Sequence, residues 1–142
     1  MIQRLSEYRL KDIFASTATI AVVGLSPKPD RPSNQVAAYL QQAGFAIIPV
    51  NPGQNRILGQ TCYPDLLSVP VPVDVVDIFR RSDQIEPIVN DAITIQAKVI
   101  WMQQGIINQA AAVTAEQAGL TVVMDRCMKV DHFQLSHSAE LL

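Results

Sequence analysis

Seven positively charged side chains follow short apolar runs in this chain of 142 residues: Lys28, Arg31, Arg56, Arg80, Arg81, Arg126 and Lys129. They are most of its 11 Lys and Arg residues, in a chain whose net charge is −2. If the apolar runs are strands whose ends share one edge of a sheet, these cations converge. Converging guanidinium and ammonium groups suit a polyanionic small molecule. Asp30, Asp65, Asp83, Asp125 and Asp131 lie among them and dilute the excess. Loops carry soluble charge in most proteins, so the clustering by itself names no ligand.

The loop from Gly24 to Ser33 is the most informative segment. Gly24 would let the backbone come close to a phosphate, and a helix starting near Ser33 would direct its N-terminal amides at the anion. Pro27, Pro29 and Pro32 stiffen the loop, which lowers the entropy lost on binding. A dinucleotide site of the usual kind is not supported. Gly24 stands without the rest of a GxGxxG pattern, and the second run ends Val50-Asn51-Pro52, with no acid for the ribose hydroxyls. No GxxxxGK[ST] motif occurs, which excludes a Walker loop.

The fourth run ends Trp101-Met102-Gln103-Gln104-Gly105. Gln103 or Gln104 could hydrogen-bond an amide-bearing ligand, with Gly105 keeping the backbone accessible, while Trp101 reads as core. Cys127 is a weak candidate nucleophile, and Cys62 a weaker one. Arg126 or Lys129 could activate the Cys127 thiol and His132 could act as base, although a spacing of five does not itself pair them. Cys62, Cys127, His132 and His137 show no metal-ligand spacing, and His137 is expected to be solvated.

The elements that must position these residues follow from the hydrophobic pattern. Thr19–Gly24, Phe45–Val50, Val73–Phe79, Lys98–Met102 and Leu120–Met124 are continuous apolar runs, as in strands buried on both faces. Helices are expected at about Ser33–Ala43, Pro87–Gln96 and Asn108–Ala118, with a short turn near Pro64–Leu67. Ser33 and Asn108 read as N-caps, Gly44 and Gly119 as residues just past helix ends, and Pro87 as a first helical position. The alternation predicts an α/β fold, a doubly wound, mostly parallel five-stranded sheet. Ligands bind such sheets beyond the carboxyl ends of the strands, where the strand order reverses. Pro49 conflicts with a central strand and should sit at a strand end or a bulge.

Residues 1–142 read as a single domain, with an extra amphipathic N-terminal helix within 1–15 and a polar C-terminal tail over 133–142. The composition, 49% hydrophobic and 17% charged, argues for a folded chain. No apolar run reaches the roughly 20 residues of a membrane helix, and the start lacks the apolar core of a secretory signal. With two cysteines and a near-neutral charge, a cytoplasmic protein with free thiols is expected, without nucleic-acid or membrane partners.

Five motifs in order resemble a known family: VVGLSPKPDRPS at 22–33, PVNPG at 49–53, DVVDIFRR at 74–81, WMQQGIIN at 101–108 and VVMDRCMKVDH at 122–132. They resemble the small stand-alone CoA-binding domain proteins, related to the N-terminal domain of the succinyl-CoA synthetase alpha subunit, over about residues 15–133. The resemblance implies a Rossmann-like domain that binds coenzyme A or an acyl-CoA across the carboxyl edge of its sheet. It assigns Gly24, Ser26, Pro27 and Lys28 to the phosphate loop, with Arg31 nearby, and Asn51 and Pro52 to a contact beside the nucleotide. Phe79 and Arg80 would line the cleft, and Gln103, Gln104 and Gly105 would lie near the pantetheine. Gln54 stands where the synthetase has a lysine, and Gln104 stands in place of a glutamate.

Ligase activity is not implied, because the synthetase's phosphorylated histidine and its further domains have no counterpart here. The expected function is CoA binding. The alternatives are a thiol-transfer enzyme using Cys127 and a nucleotide-sensing module that signals through its N-terminal helix. A homodimer or a protein partner is compatible with each.

Overall fold

The computed structural model describes the backbone of residues 6–140 and the side chains of residues 6–137. The chain begins with α1 (Glu7–Ser16), β1 (Thr19–Val23), α2 (Pro32–Gln42) and β2 (Ala46–Val50). A small hairpin follows, β3 (Arg56–Ile57) and β4 (Gln60–Thr61), then β5 (Val75–Ile78) and α3 (Ile85–Thr94). It closes with β6 (Val99–Met102), α4 (Gln109–Gln117), β7 (Thr121–Val123) and α5 (Met128–Glu140). The main sheet has five parallel strands in the order β2-β1-β5-β6-β7. Strand order therefore reverses at β1, between β2 on one side and β5 on the other.

Both faces of the sheet are covered, which is why its strands are apolar without alternation. On one face Ile85, Val89 and Ala92 of α3 and Ala111, Ala112 and Ala115 of α4 pack on Ala21, Val76 and Ile100. On the other, α1, α2 and α5 bring Leu10, Ile13, Val36, Leu40, Met128 and Leu135 onto Ile20, Val22, Val75 and Trp101. Asp74 clamps the amino edge, accepting from the amides of Ala18 at 2.8 Å and Thr19 at 3.0 Å, with Lys98 at 3.4 Å. Burial works to raise its carboxyl, but these donors outweigh burial and hold it below the usual value.

The five expected strands are present, and the expected doubly wound α/β sheet with them. Several local expectations need correction. Ser33 is not an N-cap: it is the second residue of α2, whose cap position, Arg31, supplies no side-chain acceptor. Asn108 does cap, accepting from the Ala111 amide at 2.9 Å. Pro87 is the third residue of α3 rather than the first; amides throughout a first turn lack intrahelical acceptors, so its missing donor costs nothing there either. The β3–β4 hairpin was not expected; Leu58 (φ 53°) and Gly59 (φ 75°) form its turn.

Pro49 lies inside β2, neither at its end nor at a bulge, yet the strand tolerates it. β2 is the sheet's edge among the five strands, and the Pro49 carbonyl accepts from the Tyr63 amide on the outer side, away from β1. The expected N-terminal helix is α1; residues 3–5 of that expectation lie outside the described residues. Where a polar tail was expected, α5 continues to Glu140, and Leu135 is buried. Among the described residues no helix is long and apolar enough to cross a membrane.

Candidate functional site

The carboxyl ends of β1, β2 and β5 are knitted by backbone hydrogen bonds. The Gly24 amide donates to the Val50 carbonyl at 2.9 Å, and the Phe79 amide donates to the Val23 carbonyl at 2.8 Å. Gly24 has φ +85°, and a Cβ placed on it would lie 2.3 Å from the Phe79 carbonyl oxygen and 3.4 Å from Cδ of Arg80. Only a residue without a side chain fits this junction. The sequence signalled a glycine that admits a phosphate; the close approach actually present is that of the neighbouring strand's backbone, with the Arg80 stem beside it.

The loop after Gly24 is held by its own polar groups. The Ser26 amide donates to Ser33 Oγ at 3.0 Å, Asn34 Nδ2 donates to the Ser26 carbonyl at 2.9 Å, and the Lys28 amide donates to Ser26 Oγ at 3.2 Å. Asn51 braces it from β2, donating through Nδ2 to the Leu25 carbonyl at 2.9 Å and accepting the Gly53 amide at Oδ1. Ser33 and Asn34 are buried, whereas Pro27, Lys28 and Arg31 are exposed. The first turn of α2, without a side-chain cap, opens onto the same region. On the α3 side of the strand ends lies a cleft of about 160 Å³ with Val23, Val50 and Pro52 on its walls and Arg80, Asp65 and Asp91 as its charged groups. Burial, and then Asp65, push the Asp91 carboxyl upward.

Of the seven cations expected to converge, only Arg81 and Arg126 have a carboxylate partner among the described residues, and Lys28, Arg31 and Arg80 have neither a carboxylate, a carbonyl nor a ring as partner there. The other four do different work. Arg126 makes two bonds to Asp131, at 2.7 and 2.8 Å, and receives the Trp101 indole on its carbonyl. Arg81 faces Asp83 at 3.5 Å, Arg56 donates within its own hairpin to the Gly59 carbonyl, and Lys129 stands 5.7 Å from the Tyr39 ring centre. The cations that sequence proximity grouped are separated by local pairing.

The β6 end lies one strand further along the edge. Gln104 and Gly105 are exposed, and the Gly105 amide donates to Asp125 Oδ1 at 2.6 Å. Gln103 is turned inward. It is 3% exposed, and its Nε2 donates to Asp77 Oδ1, so the side-chain amide expected for a ligand is engaged inside the protein. Asp77 itself was not among the expected site residues. It is fully buried in the middle of β5, its Oδ2 has no partner, and burial pushes it up to about 7 against the opposing effect of Gln103. The available signal was a carboxylate inside the otherwise apolar run VVDIF at 75–79, a placement that requires a reason.

The Cys127–His132 pairing does not form. His132 Nδ1 shares a hydrogen bond of 2.9 Å with the Tyr39 hydroxyl, and its ring sits edge-on to Phe14 and Phe45. Burial lowers its affinity for a proton. Cys127 is partly buried against the same apolar layer, and Cys62 is buried with its thiol on the Asn51 carbonyl. No cluster of potential metal ligands occurs among the described residues.

The sequence model of the CoA binding domain matches residues 18–133, covering every motif described above. The chain belongs to the CoA-binding domain family. A relative, the uncharacterized protein YneT of Bacillus subtilis, is 40% identical over 131 residues, 92% of this chain and 97% of that protein. A hypothetical protein from Pyrococcus horikoshii superposes with a TM-score of 0.91 at 37% identity, covering 96% of this chain and 98% of its own. The dinucleotide-forming acetyl-coenzyme A synthetase of Ca. Korarchaeum cryptofilum matches at a TM-score of 0.69 and 25% identity, over 76% of this chain but 26% of its own. The CoA-binding domain thus recurs both in chains of this size and as a minor part of large synthetases.

Proposed function

We propose that this protein binds coenzyme A or an acyl-CoA across the carboxyl edge of its sheet, without ligase chemistry of its own. One observation carries this reading: at the point where strand order reverses, the Arg80 stem lies against Gly24, the residue that opens the loop into the uncapped first turn of α2, and Arg80 also lines a cleft at the strand ends. Helix N-terminal amides with unpaired cations nearby favour phosphate. Lys28, Arg31 and Arg80 are assigned to the phosphates, with Ser26 and Pro27 shaping the loop. Asn51 and Pro52 hold the β2 side beside the nucleotide, and Phe79, outside the cleft lining, contributes through the carbonyl it presses against Gly24. Gln104 and Gly105 are assigned to the amide-bearing arm, and Gln103 contributes through its backbone.

Membership of the CoA-binding domain family supports the ligand class. Titration calorimetry with CoA, dephospho-CoA and NAD tests it. CoA should bind most tightly, and charge reversal at Lys28, Arg31 or Arg80 should weaken it about tenfold wherever that side chain touches a phosphate. Equal affinity for NAD, or indifference to all three reversals, would overturn the assignment.

A further inference from the structure

Asp77 stands two residues before Phe79 on β5, and the Phe79 carbonyl is the group pressed against Gly24. At about 3.3 Å per residue the Asp77 backbone is roughly 7 Å below that junction. An anion seated over Gly24 would lie on the order of 10 Å from the carboxyl, with protein rather than water between them. Asp77 is flanked in register by Val22 and Trp101, both buried. Its Oδ2 has no partner, and its single hydrogen bond comes from Gln103. The Gln103 amide is the one donor that holds a negative charge on this group among the described residues, so a second negative charge arriving at the rim acts on it strongly.

We propose that seating an anionic ligand on the Gly24 loop draws a proton onto Asp77, so that ligand affinity and proton uptake are linked. The inference rests on the CoA-binding reading above. The other titratable or charged groups on the elements layered over this face are accounted for separately. Tyr39 on α2 is paired with His132 on α5, Asp131 is locked to Arg126, and Lys129 stands over Tyr39. Cys127 precedes α5, and the charged residues of α1, Glu7, Arg9, Lys11 and Asp12, are exposed. None of these enters the causes of the Asp77 shift, which are burial and Gln103 alone. The carboxyl begins near neutrality in the free protein, so the linkage falls in an accessible pH range.

A phosphate charge at that distance raises the carboxyl's pKa by on the order of one unit. At pH 7.5 about half a proton should then be taken up per ligand bound, and affinity should fall several-fold between pH 6.5 and 8.5. The probe is dephospho-CoA, which lacks the 3′-phosphate and therefore that group's own titration. Calorimetry in buffers of different ionisation enthalpy counts the protons.

Wild-type protein should show uptake, and Asp77→Asn should bind without it. Asp91→Asn is the control for the second raised carboxyl, which lines the cleft itself. Uptake that survives in Asp77→Asn, or that vanishes only in Asp91→Asn, overturns the assignment. If Asp77→Asn does not fold, carbon NMR of the Asp77 carboxyl in wild-type protein decides the matter: its midpoint should rise with ligand, and an unmoved midpoint refutes the linkage. Binding without uptake refutes the linkage alone, whereas absence of binding by dephospho-CoA and CoA alike refutes the CoA reading and the linkage together.

Discussion

Replacing Gly24 with alanine separates two costs that a glycine can hide. At φ +85° any L side chain is strained, by about 1 kcal/mol for a single residue in the left-handed region. Gly119 has φ +93° with nothing within 4 Å of where a methyl would stand, so Gly119→Ala should show that cost alone. Gly24→Ala adds a methyl carbon 2.3 Å from a backbone carbonyl, a clash that no rotamer change relieves. The ends of β1 and β5 must part, with a cost like that of overpacking a core, about 1 to 3 kcal/mol. The total for Gly24→Ala is about 2 to 4 kcal/mol, a large fraction of the stability of an ordinary domain. Urea unfolding of the two variants and the wild type, with slopes compared, measures the difference. The same movement carries Phe79 and Arg80 away from the loop, so CoA affinity should fall in Gly24→Ala and not in Gly119→Ala. Equal destabilisation by the two substitutions would show that the strand ends do not depend on their close approach, and the account of the site would fail with it.

Other expectations follow from the buried ionisable groups and the pairings around the rim. The Asp77 carboxyl is raised to about 7 in the folded protein, whereas the unfolded chain ionises near 4. The unfolded state therefore binds fewer protons between these values, and stability should fall by about 3 kcal/mol as pH rises from 4 to 7. Chemical denaturation across that range should show this slope in wild-type protein and lose it in Asp77→Asn. His132 has the opposite sign: its lowered proton affinity gives stability that is complete above about pH 6.5 and lost as pH falls further. His132→Phe should flatten that acid limb in the same assay. Asp131→Asn removes one side of a bidentate pair with Arg126 and should cost about 2 kcal/mol of unfolding free energy while leaving CoA affinity unchanged. Cys127→Ser should also leave CoA affinity unchanged; a loss would revive a role for the thiol.

Strands are the part of this fold most legible along the chain. Thr19–Val23, Val75–Ile78 and Val99–Met102 are almost wholly apolar because a parallel strand under two helical layers has no wet face; Asp77 is the exception inside them. Helix ends were legible where a side chain does the capping, as at Asn108, and illegible at Ser33, whose hydroxyl serves the Ser26 amide seven residues earlier. The last helix was not legible because α5 carries a mixed pattern, with Leu135 buried while Val130 and Phe133 are exposed. A helix with so weak a division between faces reads as polar chain.

The candidate site divides in the same way. Its loop residues, from Gly24 to Arg31, were legible because glycine, prolines and cations concentrate there in sequence. The choice among the cations was not. Arg126 and Arg80 each follow a strand, yet Arg126 finds Asp131 five residues on, while Arg80 lies against a glycine contributed by a different strand. Gln103 and Gln104 are adjacent in the chain, but alternate residues of an extended segment face opposite ways, so one amide enters the interior and the other meets solvent.

Hydrophobic periodicity determined the layers and the five strands of the main sheet, because burial depends on local pattern and helices must cover both faces of a parallel sheet. The meeting of Gly24 with Phe79, the pairing of Gln103 with Asp77 and the locking of Arg126 onto Asp131 while Arg80 lies against Gly24 were decided only in the folded protein. Each depends on a distance between residues remote in sequence, and hydrogen bonds, ion pairs and steric contacts act over a few ångströms of space whatever the separation along the chain.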